Sequence, residues 1–311
     1  MSEDQRSLRD EKDDVPVSRP AARAEDAVAR LLSEPLAPGL YLVATPIGNL
    51  GDITLRALSV LARADIIYCE DTRHSGRLLQ HYSITARTRP FHEHNEDREI
   101  ERAIADLESG KRIAIISDAG TPLLSDPGFK LVRAAAAAGI SVVPIPGASA
   151  LLAALTASGL PTDTFFFAGF LPPKRAARRA RLAELSQIPG SLVFYEAPHR
   201  VAETIADMAG LLGGRQAVVA RELTKLHEEI SRGSLPALAE AIPAEGLKGE
   251  VVIVVGPQQV QSVTDEALGA RLADALEVMS LKDAAKALAD ELGVPKARVY
   301  GLGIKAKGRQ R

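Results

Sequence analysis

At 311 residues the chain is long enough to fold as two domains with well-filled cores. Lysine and arginine total 38 against 40 aspartates and glutamates, so no global field attracts nucleic acid, and any such binding must use local basic patches. The single cysteine, Cys69, excludes an intramolecular disulfide and fits a reducing, cytoplasmic compartment.

Residues 1–38 mix both charges with proline and show little apolar periodicity, which predicts a disordered leader. It has no apolar signal-peptide core, and its acidic residues argue against a mitochondrial transit peptide. Residues 40–44 read as the first strand, followed by the loop 45–52 and a helix capped by Thr54. A second strand over 65–69 empties into Glu70, Asp71, Thr72, Arg73 and His74. Helices to Tyr82 and over 96–107 flank the segment FHEHN at 91–95.

The apolar run 113–116 lacks polar alternation, as a parallel strand covered on both faces should. It leads into Asp118, Ala119, Gly120, Thr121 and Pro122, small residues that let backbone approach a ligand closely. From 134 to 162 there is no charge, a length that could span a bilayer. Gly139, Pro144, Pro146 and Gly147 instead cut it into helix end, strand, turn and new helix. Alternating strands and helices predict an α/β lobe with a largely parallel sheet over 39–158.

A second α/β lobe with a mixed sheet is expected over 159–257, from strands at 165–170, 191–195, 216–221, 226–232 and 251–255. A basic helix at 174–185 carries Lys174, Arg175, Arg178, Arg179 and Arg181, a stripe suited to phosphate contacts or simply to solvent. After a linker at 258–262, a small helical module over 264–305 has an apolar face at Leu281, Ala284, Ala285, Leu288 and Leu292. Gly293 is its stop, and a helix-turn-helix is the expected form.

The strand-end corners carry the candidate chemistry. No glycine-lysine-serine/threonine triplet appears, and the first loop lacks the glycine spacing of a dinucleotide fingerprint. A neutral-to-cationic ligand held by backbone groups and a carboxylate fits better than a phosphate. The spacing of His92 and His94 suggests a metal, but no third ligand is evident. Basic patches on the 174–185 helix and in the final module favour RNA or DNA over a small metabolite.

Nine blocks in order, ATPIGNLGDIT (44–54), CEDTRHS (69–75), FHEHNE (91–96), SDAGTPLLSDPG (117–128), PGASA (146–150), FAGFLP (167–172), FYEAPHR (194–200), RELTKLHEE (221–229) and GEVVIVVG (249–256), resemble the ribosomal RNA small subunit methyltransferase I family, of the tetrapyrrole methylase fold class. The resemblance implies methyl transfer from S-adenosylmethionine to a cytidine ribose 2′-hydroxyl in 16S ribosomal RNA near the decoding site. It implies a homodimer, the small ribosomal subunit as partner, and a donor pocket between the lobes. Carried over by motif, that pocket comprises Ile47, Gly48, Gly120, Thr121, Pro122, Ser149, Ala150, Glu196 and Gly249. The first loop reads Pro-Ile-Gly-Asn where the tetrapyrrole enzymes have Gly-Pro-Gly-Asp, which weakens the carry-over of Ile47.

A ribose hydroxyl is a weak nucleophile, so a positioned base would help. Glu70 is the first candidate, because the resemblance to the tetrapyrrole enzymes implies an acidic residue at this strand end, and His92 is the second, as a side chain suited to proton transfer near neutral pH. Arg73 and Arg200 are candidates to hold phosphates flanking the target. Two rival readings stand beside this one: methylation of a tetrapyrrole by the same fold, and a non-catalytic RNA-binding protein.

Overall fold

The computed structural model describes residues 19–92, 94–258, 264–292 and 294–309, and the chain divides into compact units at Gly256. Helix α1 (Arg19–Ser33) lies where composition predicts a disordered leader. Its half-buried Ala27, Val28 and Leu31 share one face. The Ser59 hydroxyl donates to the Leu31 carbonyl at 3.1 Å, and the Arg63 guanidinium donates to the Glu34 carbonyl. Charges on either side of this short stripe conceal it in the sequence. The rest of the expected leader, residues 1–18, lies outside the described residues.

The first lobe runs β1 (Gly39–Val43), α2 (Leu55–Arg63), β2 (Ile66–Cys69), α3 (Thr72–His81), β3 (Thr88–Pro90), α4 (Glu96–Glu108), β4 (Arg112–Ile115), α5 (Phe129–Ala137) and β5 (Val142–Ile145). Its strands form one parallel sheet in the order β3-β2-β4-β1-β5. Thr54 caps α2 as expected, accepting from the Ala57 amide at 3.1 Å. Separate cores cover the two faces of the sheet, which explains the unalternating apolar strands. Strand β3 is unpredicted: it is short, and Pro90 masks it. Pro90 and Pro144 both sit on edge strands, where a missing amide costs no ladder hydrogen bond.

The charge-free stretch resolves into the end of α5, then β5, a turn and α6 (Ala150–Ser158). Among the described residues no helix is long and apolar enough to cross a membrane. Helix α6, which the sequence places in the first lobe, packs on the second sheet. Its Leu151, Ala154 and Leu155 pack on Val193, Val218, Ala220, Val252 and Val254 of the second sheet. The sequence assigns it to the first lobe because it follows β5 directly.

The second lobe comprises β6 (Phe165–Phe170), α7 (Arg175–Leu185), β7 (Ser191–Glu196), α8 (Val201–Leu212), β8 (Gln216–Arg221), β9 (Glu229–Ser234), α9 (Leu235–Ala241) and β10 (Val251–Val255). Strand order is β6-β7-β10-β8-β9, with β6 and β7 parallel and the other pairs antiparallel. Strand β9 starts three residues later than its expected position at 226, because Leu223 to Glu228 form a turn. All five residues of β10 are buried, as a central strand between α6 and the α7–α8 layer requires.

The second unit is a three-helix module, α10 (Asp265–Leu276), α11 (Leu281–Leu292) and α12 (Lys296–Arg309). Ala284, Ala285 and Leu288 close its core with Leu268, Leu272, Val294 and Val299. The expected stop at Gly293, and the linker residues 259–262, lie outside the described residues.

Candidate active site

The corner after β4 folds back on the corner after β1. Thr45 and Gly120 exchange backbone hydrogen bonds of 2.9 and 3.0 Å, an isolated antiparallel bridge joining the two loops. Gly120 takes φ +79°, and a Cβ there would stand 3.1 Å from the Ile47 side chain. The Thr121 hydroxyl donates to the Ala148 carbonyl at 3.1 Å, which brings in the corner after β5. These loops and the ends of β7 and β10 enclose a cavity of about 410 Å³, within the range of small-ligand sites.

Of the residues expected around a donor, Ile47, Gly120, Thr121, Ala150 and Glu196 line this cavity. Pro122 borders a small neighbouring space with Glu70. Gly48 faces a different cavity beside α3. The Ser149 hydroxyl caps α6 by accepting from the Leu152 amide. Gly249 packs against the Glu222 side chain and leaves the lining to Glu250 and Val251. The Glu196 carboxylate is turned into the protein: it accepts from the Thr204 hydroxyl at 2.6 Å and the Ala197 amide at 2.8 Å.

Sequence reading missed several lining residues. Leu124, Ser125, Asp126, Phe170, Tyr195 and Leu223 all face the cavity. A bulge between Phe167 and Gly169, with Gly169 at φ +63°, shifts the register of β6 just before Phe170. Two leucines are presented by strained backbone. Leu124 lies between Leu123 (φ 73°) and Ser125 (φ 70°), and Leu223 between Glu222 (φ 51°) and Thr224 (φ 66°). Left-handed backbone costs a non-glycine residue about 1–2 kcal/mol, and two such brackets fall on the wall of one cavity.

Asp126 is a strongly perturbed group on the cavity wall. Burial raises its pKa to about 6, with help from the nearby Glu70 and Asp118 carboxylates, while a Ser117 hydroxyl pulls the other way. It borders both the large cavity and the small space at Glu70, so it links the two. Asp118 accepts from the Asp71 amide at 3.2 Å, which fixes the corner after β2 against the corner after β4. Among the described residues no lysine, arginine or histidine lines the large cavity, while Asp118, Asp126 and Glu250 do. That lining suits a ligand bearing positive charge and rejects a polyphosphate.

The other expected groups are elsewhere. His92 lines neither space, and its ring contacts His94 at 5.9 Å between centroids. Arg73 is exposed and bound to Asp71, whose carboxyl it holds down at about 2. Arg200 lines neither space: it donates to the Leu171 and Pro172 carbonyls at 3.0 Å and pairs with Glu196 at 3.4 Å. Cys69 is buried, and burial pushes its thiol up, so it is a packing residue.

The basic stripe on α7 is corrected most sharply. Arg178 is 1% exposed and binds Asp207 of α8 at 2.8 Å; it cannot face RNA. Arg175 and Arg179 converge on the same carboxylate at 3.2 and 3.1 Å. Lys174 is exposed, and Arg181 pairs with Glu184 on the surface.

Gly120→Val tests the closest approach of backbone to the cavity. A β-branched side chain is disfavoured at φ +79° and would collide with Ile47. Affinity for S-adenosylmethionine, measured by calorimetry, is expected to fall at least tenfold, about 1.4 kcal/mol. Unchanged affinity in a folded variant would remove Gly120 from the site.

Known proteins resemble this chain in sequence and in fold. The sequence profile of the tetrapyrrole (corrin/porphyrin) methylases matches residues 39–239. The ribosomal RNA small subunit methyltransferase I of Mesorhizobium japonicum is 51% identical over 270 residues, covering 86% of this chain and 92% of that one. Its namesake from Pseudomonas aeruginosa is 48% identical over 278 residues, covering 87% and 98%. Among solved structures, a uroporphyrin-III C-methyltransferase from Thermus thermophilus, complexed with S-adenosylhomocysteine, shares the fold. It aligns with TM-score 0.50 and 17% identity over 70% of this chain and 97% of that one. The chain therefore belongs to the tetrapyrrole methylases and, within them, to the ribosomal RNA small subunit methyltransferase I family.

Proposed function

We propose that the protein transfers a methyl group from S-adenosylmethionine to the 2′-hydroxyl of a cytidine ribose in 16S ribosomal RNA, near the decoding site. The observation that carries this reading is the cavity itself: bare backbone at Gly120, an apolar wall from Ile47, Ala150, Leu223 and Val252, and carboxylates without a basic side chain. That donor set fits a ligand with a sulfonium and an ammonium group. The names of the Mesorhizobium and Pseudomonas relatives support the RNA substrate.

Bound there, the donor supplies an electrophilic methyl on a positively charged sulfur. Gly120, whose amide and carbonyl are both bonded to Thr45, would let the donor approach closely by lacking a side chain, Thr121 would hold it through backbone groups, and Asp118 would face its positive charge. The protein's remaining task is to align the ribose oxygen and take its proton. Asp126 suits that task better than Glu70 or His92. It lines the cavity, and with a pKa of about 6 it is ionised at neutral pH yet a better base than an ordinary carboxylate. Its Oδ would accept the hydroxyl proton as the oxygen takes the methyl, with the electron pair of the broken sulfur–methyl bond staying on the departing thioether.

The test is mass mapping of ribose methylation in ribosomal RNA from a strain lacking the gene, and from the same strain with it restored. Loss and return of one 2′-O-methylcytidine is the expected result. Methylation confined to a base, or to a porphyrin supplied in vitro, would overturn the reading.

A further inference from the structure

An RNA substrate brings negative charge that the donor cavity cannot accept, and α7 has spent its central arginines on Asp207. The structure offers another surface. A second cavity, about 340 Å³, lies between α3 and the loop that follows β1. His74, Arg77 and His81 line it from α3, three and four residues apart, so they share one helix face. All three are exposed, and the Arg77 side chain takes part in no hydrogen bond or ion pair among the described residues. Gly48 and Leu50 form the opposite wall. The Tyr82 hydroxyl at the end of α3 donates to the Leu50 carbonyl at 2.6 Å, which ties the two walls together. Asp118 lines this cavity and the donor cavity alike, so the two adjoin at that residue.

Resting on the reading that RNA is the substrate, we propose that this cavity holds the sugar–phosphate backbone beside the target nucleotide, with His74, Arg77 and His81 as its donors. Arginine forks onto phosphate oxygens, and each imidazole offers at least one N–H in either protonation state. Phosphate contacts of this kind fix register without reading bases. A backbone held here places its neighbouring ribose at Asp118, the residue shared with the donor cavity. Arg73, one turn before Arg77, extends the same cationic edge.

The experiment measures binding of the full chain to a 16S ribosomal RNA fragment spanning the target over a range of salt. It compares wild type with the single variant Arg77→Glu and the triple variant His74→Ala, Arg77→Ala, His81→Ala. Both variants are expected to bind RNA at least tenfold more weakly, and the triple variant's salt slope should flatten by about one to two units. Affinity for S-adenosylmethionine and the thermal midpoint should stay at wild-type values, since none of the three lines the donor cavity. Unchanged RNA affinity and slope would overturn the proposal and leave the groove to solvent. Equal loss of donor affinity would also overturn it, by making α3 part of the donor site. Failure of the underlying reading looks different: the wild-type chain itself would then neither bind nor methylate the RNA.

Discussion

Asp126→Asn is expected to slow methyl transfer by about 10²- to 10⁴-fold, the usual span for removing a positioned base, while S-adenosylmethionine still binds. In the wild-type protein the single-turnover rate should fall as pH drops through about 6, where the Asp126 carboxylate takes up its proton. The variant should lose that acid limb. Stability should move in the opposite direction. Burial and the facing Glu70 and Asp118 hold the folded pKa above the ordinary 3.8, so ionisation penalises the folded state. The stability tied to the protonated form is complete below the unfolded pKa and is lost as pH rises through about 6. Asp126→Asn, which stays neutral, should therefore melt higher than wild type at pH 8 and level with it at pH 4. A residue retained at a cost in stability is what a working catalytic group looks like. Full activity in the variant, or an acid limb that disappears only in Glu70→Gln, would return the role to Glu70.

The large features were legible because they follow from patterning. Buried runs such as IIYC and VVIVV mark covered strands, and IIYC ends in polar residues where parallel α/β sheets keep their sites. Asp126 was not legible in the same way. Its Ser-Asp-Pro-Gly setting reads as a turn, and only folding brings Glu70 and Asp118 up against it. The strained backbone around Leu124 and Leu223 leaves no trace in composition either, since no glycine marks those four left-handed residues. Helix periodicity placed Arg175, Arg178 and Arg179 together correctly but could not say what lay opposite. The signal available was Asp207, an acid within the otherwise apolar stretch of α8, which required a buried partner. Family motifs, in turn, identified Glu196 and Ser149 as near the donor, yet both spend their polar groups on holding the corners in shape.

That buried cluster gives the largest expected effect on stability. Asp207 is 2% exposed, and its neighbour Arg178 has its guanidinium 1% exposed, so neither charge can turn to water if the other is removed. Asp207→Ala strands Arg178 in the core with only the exposed Glu203 at 3.2 Å. Breaking one side of a buried pair typically costs about 3–5 kcal/mol, and the thermal midpoint should drop by roughly 10 °C for a unit of this size. Arg178→Met should cost less. It leaves Asp207 with Arg175 and Arg179, whose side chains reach solvent, and it fills the vacated space with an apolar chain. Burial alone would raise the Asp207 pKa, but the three guanidinium groups outweigh it and hold the carboxyl below its ordinary range. Its stabilisation is therefore present above the unfolded pKa of about 4 and is lost as pH falls through the lower folded value. Acid melts of wild type should show this loss, and Asp207→Ala should lack it. Equal midpoints for Asp207→Ala and wild type at pH 7 would mean that the arginines are held by packing alone, and α7 would again be open as a surface for RNA.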